Sequence, residues 1–253
     1  MGYPKDLLTS RSIIKRGNYA LIPQEGLVNN VIPGFEECTI SILASPRLGA
    51  HFVDYIVTMH EGGKNEKGYG EEGVQTFVYC IEGKVKASTS KESFTLEEGG
   101  YLYCPPGEKM YLENLQKEDT RLFLYKQKHQ PLEGHAPWVV SQNVNDLEWV
   151  EYDDMANVHI KDLLPTDIAF DMNFHILSFE PGGCHPFIET HYQEHGAYML
   201  SGLGVYNLDN EWVPIKKGDY LYMGAYVPQA TYASGREPFS YVYSKDCNRD
   251  AKL

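Results

Sequence analysis

Gly83-KVKASTSKESFTLEE-Gly99 and Gly202-LGVYNLDNEWVPIKK-Gly218 are the same stretch written twice. Adding 119 to the first glycine pair gives the second, and the frame holds beyond them. Tyr79 meets Tyr198, Glu92 meets Glu211, and Tyr101-Leu102-Tyr103 meets Tyr220-Leu221-Tyr222. Upstream, Ile56 to Gly63 (IVTMHEGG) parallels Ile176 to Gly183 (ILSFEPGG) at an offset of 120, so one residue is gained or lost between. One coincidence of this kind is unremarkable, but so many in one frame mark a tandem duplication.

Each copy reads as short β-segments punctuated by glycine. FVDYIVTM, TFVYCIEG, KVKAST, SFTLEEG and GYLYCPPG are rich in β-branched and aromatic residues. FHILSFEPGG, AYMLSG, GVYNLD, EWVPIKKG and DYLYMGAY repeat them in the second copy. Helical periodicity is nearly absent, and strands at this spacing build a sandwich or barrel instead of βαβ units. The 19 tyrosines suit such sheets, ring packed and hydroxyl at the rim. The expected fold is all-β, with a first domain at 1–128, a connection at 129–157 that can lend a strand or short helix to the second half, and a second domain at 158–253.

The chain has 253 residues, 42% of them apolar and 23% charged, enough for a packed core. With 22 Lys+Arg against 35 Asp+Glu the net charge is −13, which disfavours nucleic acid or anionic lipid as partner. No apolar run approaches the ~18 residues of a membrane span, and MGYPKDLLTSRS carries no apolar signal core. Five unclustered cysteines (Cys38, Cys80, Cys104, Cys184, Cys247) suit a reduced compartment. A cytoplasmic protein is expected.

Chemistry concentrates in Gly183-CHPFI-Glu189-Thr-His191-YQE-His195-GAYMLS-Gly202. Glu189 and His191 are two apart, so on a strand they face one way. His195 would lie about 20 Å beyond Glu189 on a straight strand, too far for one ion with bonds of about 2.0–2.2 Å. The chain must therefore turn at Tyr192-Gln193-Glu194 to bring the three together. His51, His60, His129, His135, His159, His175 and His185 have no partner spacing of this kind. Cys184 reads as a core or loop thiol, Glu194 as either a base behind the ligands or a turn residue, and the acidic run at Asp153 as surface.

This pattern resembles the cupin motif G-x5-H-x-H-x3-E-x6-G, with Glu189 at its first histidine and His195 at its glutamate. The second motif, G-x5-P-x-G-x2-H-x3-N, falls on Gly218, Gly224, Tyr226, Gln229 and Ala233, with Gln229 at the ligand position. The implied metal set is Glu189, His191, His195 and Gln229, and its mixed N/O donors suit Mn²⁺ or another divalent first-row ion. In the first copy the corresponding positions are Gly70, Glu72, Thr76 and Met110, while Gly99, Pro105, Gly107 and Asn114 keep the scaffold of the second motif. That half is expected to bind no metal in this way, which disfavours two working sites.

ETHYQEHGAYMLSG, GVYNLDNEWVPIKKGDY, YSKDCNRD and GYLYCPPG are more specifically similar to the (S)-ureidoglycine aminohydrolase family of bicupins. The resemblance spans nearly the whole chain. It implies two jelly-roll barrels, Mn²⁺, release of ammonia from (S)-ureidoglycine to give (S)-ureidoglycolate in allantoin breakdown, and higher oligomers. By motif position it implies that Tyr206, Tyr241, Lys245 and Gln229 contact substrate, with Lys245, Glu189 and Gln229 catalytic. Residue chemistry is compatible: a −13 protein repels an anionic substrate, so a local cation such as Lys245 is needed. Lys126 occupies the equivalent position in the first copy, so the lysine alone is weak evidence; Tyr206, opposite Ala87, is stronger. Two alternatives stay open, an Fe²⁺ oxygenase using Glu189, His191 and His195 as a facial triad, and a non-catalytic ligand-binding cupin. Exposed sheet edges also favour a homo-oligomer.

Overall fold

β-branched and aromatic runs cut by glycine and proline leave almost nothing but strands. A computed structural model describes residues 11–245 and 249, and their helical content is two single 3-10 turns, Gln24–Gly26 and Val144–Asp146. Among the described residues no helix is long and apolar enough to cross a membrane. Contacts divide the described chain into two units, one of residues 27–46 and 51–147, the other of 11–26, 47–50, 148–245 and 249.

In the first unit the strands are β3 (Glu36–Ile42), β4 (Phe52–Lys64), β5 (Val74–Glu82), β6 (Lys84–Ser88), β7 (Ser93–Glu97), β8 (Gly100–Cys104), β9 (Tyr111–Asn114), β10 (Thr120–Lys128) and β11 (Val140–Asn143). They hydrogen-bond in the order β11-β8-β5-β10-β4-β9-β6-β7, with β3 on β4. The second unit repeats them as β13 (Met155–Asp162), β14 (Asn173–Phe179), β15 (His195–Ser201), β16 (Leu203–Leu208), β17 (Glu211–Lys216), β18 (Tyr220–Met223), β19 (Gln229–Ala233) and β20 (Phe239–Lys245). To these it adds β12 (Val150–Tyr152) and two early strands, β1 (Ile13–Lys15) and β2 (Tyr19–Ile22). Its sheets run β1-β2-β18-β15-β20-β14-β13-β12 and β17-β16-β19. Each unit is a jelly roll closed around its own apolar core.

The units do not follow the linear division at 128 and 157. β2 pairs with β18, carrying residues 11–26 into the second unit. β11 pairs with β8 in the first unit, whereas β12 pairs with β13 in the second. The connecting segment thus supplies a strand to each sheet, and each outer strand covers an edge that would otherwise be open.

The repeated glycines are explained by close approach. Gly83 and Gly202 both have positive φ, 94° and 68°. A Cβ would lie 2.6 Å from Thr120 Oγ1 at Gly83 and 2.6 Å from the Pro238 carbonyl at Gly202. Cys38, Cys80, Cys104 and Cys184 are free thiols, and Cys247 lies outside the described residues.

Candidate active site

A narrow cavity opens inside the second barrel. Its walls include Glu189, His191, His195, Gln229, Tyr206, Tyr241 and Lys245, every site residue expected from the sequence. β15 supplies His195, β19 supplies Gln229, β16 supplies Tyr206, and β20 supplies Tyr241 and Lys245. Burial of these strands on both faces leaves the side chains little freedom to move.

The stretch carrying Glu189 and His191 is not the regular strand expected from their spacing. Only Glu189 makes a ladder contact there, exchanging N–H···O bonds with Gln229 at 2.9 Å each way. The chain then leaves the sheet and re-enters at His195, so the turn falls at residues 192–194 as expected. The Tyr226 N–H donates to the His191 carbonyl at 2.7 Å. Tyr226 occupies the glycine position of the second motif and keeps a left-handed φ of 62°, a conformation with a cost of about 1–2 kcal/mol for a tyrosine. Glu194 is buried, which separates it from an exposed turn residue.

The two histidines are oriented by backbone. His191 Nδ1–H donates to the Gln193 carbonyl (3.1 Å), and His195 Nδ1–H donates to the Ser244 carbonyl (2.9 Å). Both Nε2 lone pairs therefore point inward, and the atoms are 3.4 Å apart. Two facing lone pairs repel unless a cation or proton lies between them. Ligands at about 2.0–2.1 Å from one ion in cis or tetrahedral relation sit about 2.9–3.4 Å apart, so the spacing fits. The Gln229 amide is 3.1 Å from His191 Nε2, and a half-turn of that amide presents its carbonyl oxygen instead. Among the described residues no three His, Cys, Asp or Glu side chains form a metal cluster by themselves. The set that fits an ion is two imidazoles plus the Gln229 amide, with Glu189 on the same wall.

Electrostatics agree with a neutral-imidazole site. Burial pushes the His191 pKa down, and Lys245 pushes it further. Burial also drives His195 well down, helped by His191. Burial raises Glu189, opposed by Lys245. Tyr206 donates to Tyr241 through a 2.7 Å hydroxyl–hydroxyl bond, and burial raises both phenols. Each stays protonated.

Four wall residues were not expected: Tyr152, Leu177, Met223 and Tyr243. Tyr243 had a signal, since it lies between Tyr241 and Lys245 on the same strand face. Tyr152 had none, because it reaches the site from the connecting segment on β12. Cys184 is not on the wall, and its backbone pairs with Tyr232 on β19.

In the first barrel the matching positions do not assemble this set, and Glu72, at the His191 position, is exposed. Thr76 and Met110 are buried, and Met110 packs in an apolar cluster with Cys104, Tyr69 and Tyr55. Lys126 lies 5.6 Å over the Tyr69 ring and 4.0 Å from Glu71. An open groove in this unit is lined by Lys64, Glu66, Lys86 and Glu113. Those charges already pair as Lys64–Glu66 and Lys86–Glu113.

A cupin domain matches residues 175–244. The chain is 57% identical to (S)-ureidoglycine aminohydrolase of Escherichia coli strain K12 over 100% of its own length and 97% of the relative. Its fold is similar to the crystal structure of protein Ylba from E. coli, with TM-score 0.89, 55% identity and 100% coverage of both chains. At fold level alone it is similar to oxalate decarboxylase from Lactobacillus farciminis, with TM-score 0.68, 12% identity, and coverage of 92% of this chain and 87% of that one.

Proposed function

This chain belongs to the (S)-ureidoglycine aminohydrolase family, and from that membership we propose that it releases ammonia from (S)-ureidoglycine to give (S)-ureidoglycolate. The observation that carries the reading is the meeting, in one cavity, of two inward-facing imidazoles, a carboxylate, an amide, a hydrogen-bonded tyrosine pair and a lysine.

His191, His195, Gln229 and Glu189 would hold Mn²⁺, whose mixed N/O preference matches the set. When bound, the ion supplies Lewis-acid polarisation and a fixed reference for orienting the substrate. Lys245 holds the substrate carboxylate by charge in a pocket that excludes most water. Tyr241 accepts from Tyr206, which leaves its own hydroxyl hydrogen for the substrate. Glu189, whose second carboxylate oxygen stays free when the first binds the ion, would take the proton of an incoming water. Lys245 Nζ is the acid that can give a proton to the departing amine, and a proton passed from Glu189 to Lys245 then resets the site. The protein acts on this small molecule as a cytoplasmic homo-oligomer in the same reading.

Ammonia release from (S)-ureidoglycine, scored with and without chelator, tests the proposal. Release that stops on metal removal and returns with Mn²⁺ supports it. No release from the metal-loaded protein, with the ureido acid retained, supports a binding protein instead.

A further inference from the structure

Beside the cavity, the second barrel carries a carboxylate–imidazole pair that the first barrel lacks. Asp162 on β13 and His175 on β14 face each other in register, with Asp162 Oδ1 2.6 Å from His175 Nδ1. In the first barrel the same register pair is Ile42 and Tyr55. The contrast follows the pattern of the site itself, in which polar residues of the second barrel replace apolar ones of the first.

His175 alternates with Leu177 on β14, so both share the strand face that looks into the barrel. Across β20, His175 pairs with Tyr243 and Asn173 pairs with Lys245. Lys245 is therefore the diagonal neighbour of His175, a separation that a lysine side chain spans. The His175 and Tyr243 rings are 5.1 Å apart, and Tyr243 is 5.2 Å from His195.

An ionised carboxylate can only accept, so the shared hydrogen is on His175 Nδ1 and the lone pair is on Nε2. Nε2 is buried and has no hydrogen-bond partner among the described residues. A buried acceptor of this kind is costly without a donor. The His175 bond, and then Lys245, hold the Asp162 carboxyl below its ordinary range. Burial lowers the His175 pKa, the Asp162 bond and charge oppose it, and Lys245 lowers it further. Lys245 is thus within electrostatic range of both members. Lys126, at the matching position but without such a pair, turns to the Tyr69 ring and Glu71.

We propose that Asp162 and His175 are positioning residues for Lys245: a turn of the lysine side chain lets the unpartnered His175 Nε2 accept one ammonium N–H, Asp162 fixes the imidazole tautomer that makes this possible, and the remaining N–H groups are directed into the cavity. This rests on the reading of Lys245 as the cation that receives the substrate carboxylate.

A double-mutant cycle tests it with wild type, His175→Asn, Lys245→Met and the double variant, each checked for manganese content and melting temperature. Asn reproduces the Nδ1 contact to Asp162 but deletes Nε2. His175→Asn is expected to lower kcat/KM by about 10- to 100-fold, the scale of a hydrogen bond to a charged group. In the Lys245→Met background it is expected to add less than about twofold, because coupled residues are not additive. His175→Gln, which keeps an acceptor near Nε2, is expected to recover most of the loss. Undiminished effects in both backgrounds, or a His175→Asn variant within twofold of wild type, overturn the proposal. If His175→Asn does not fold, Asp162→Asn at the half-exposed end of the pair enters the same cycle with the same expectation. A readout without substrate separates this proposal from the activity. The Lys245 ammonium ¹H–¹⁵N signal should be visible in wild type and lost in His175→Asn, and its persistence overturns the positioning role. Absence of ammonia release from wild type would instead overturn the substrate reading.

Discussion

The two barrels share a scaffold and differ in what fills it. Adding 119 takes Thr76 to His195, Ala87 to Tyr206, Met110 to Gln229, Leu122 to Tyr241 and Leu124 to Tyr243. At each of these positions a small or apolar side chain in one barrel faces an imidazole, amide or phenol in the other. Strand order and register are common to both, and so are the glycines at the sheet corners. Backbone places the positions, and side chains alone make the two barrels differ in what they could hold. Lys126 and Lys245 sharpen the point, because identical residues at one register site have different surroundings.

The largest effect should come from making the second barrel resemble the first. His191→Ala or His195→Ala removes an imidazole that no neighbour can replace, so elemental analysis should find the metal gone and ammonia release at background. Lys245→Met should come next. Metal content should stay, while kcat/KM falls by about 10- to 100-fold as the anion loses its charged partner. A variant with near-normal turnover would remove Lys245 from the site.

Acid stability separates the barrels in another way. His185 N–H donates to the Thr231 carbonyl, and Thr231 N–H donates back to His185 Nδ1 at 3.1 Å. In the first barrel Asn65 makes the same two bonds with Leu112, at 2.9 and 3.0 Å. Asparagine does not titrate, whereas burial pushes His185 down to about 4 from 6.5. Its folded form therefore binds fewer protons than the unfolded chain between those values. The stability from His185 is complete above about 6.5 and is lost as pH falls toward about 4, amounting to about 2 kcal/mol between pH 7 and 5. Urea unfolding of metal-free wild type and His185→Asn at both pH values checks this. The variant should lose that much less stability, and parallel losses would show that His185 does not titrate in this way.

Shared features should respond alike. Gly83→Ala and Gly202→Ala each force a Cβ into positive φ and against a neighbour 2.6 Å away, so each should cost about 1–3 kcal/mol in denaturant unfolding. A large cost in only one barrel would break the equivalence. Thr76→Ala should have the smallest effect, with metal content and ammonia release unchanged.

Much of this was legible from spacing. The 119 offset carried the tandem strands, because duplicated glycines and aromatics mark corners and cores that geometry does not let drift. The meeting of Glu189, His191 and His195 at one cavity was legible because a shared ion would require them to converge. What the spacing hid was non-local. β1 and β2 precede the first barrel in sequence yet pair with the second, and no local pattern encodes an edge partner so distant. Asp162 and His175 lie 13 residues apart on neighbouring strands and meet only through register. Tyr152 reaches the cavity on β12, a strand the connecting segment was expected to lend, but no spacing marked this tyrosine as a wall residue.

The most direct test of the difference between the barrels is the manganese content per chain, measured with ammonia release from (S)-ureidoglycine on the same samples. One ion per chain is expected in wild type and in Thr76→Ala, with none in His195→Ala and ammonia release following the metal in all three. Metal that survives His195→Ala, or is stripped by Thr76→Ala, would contradict the assignment of the chemistry to the second barrel.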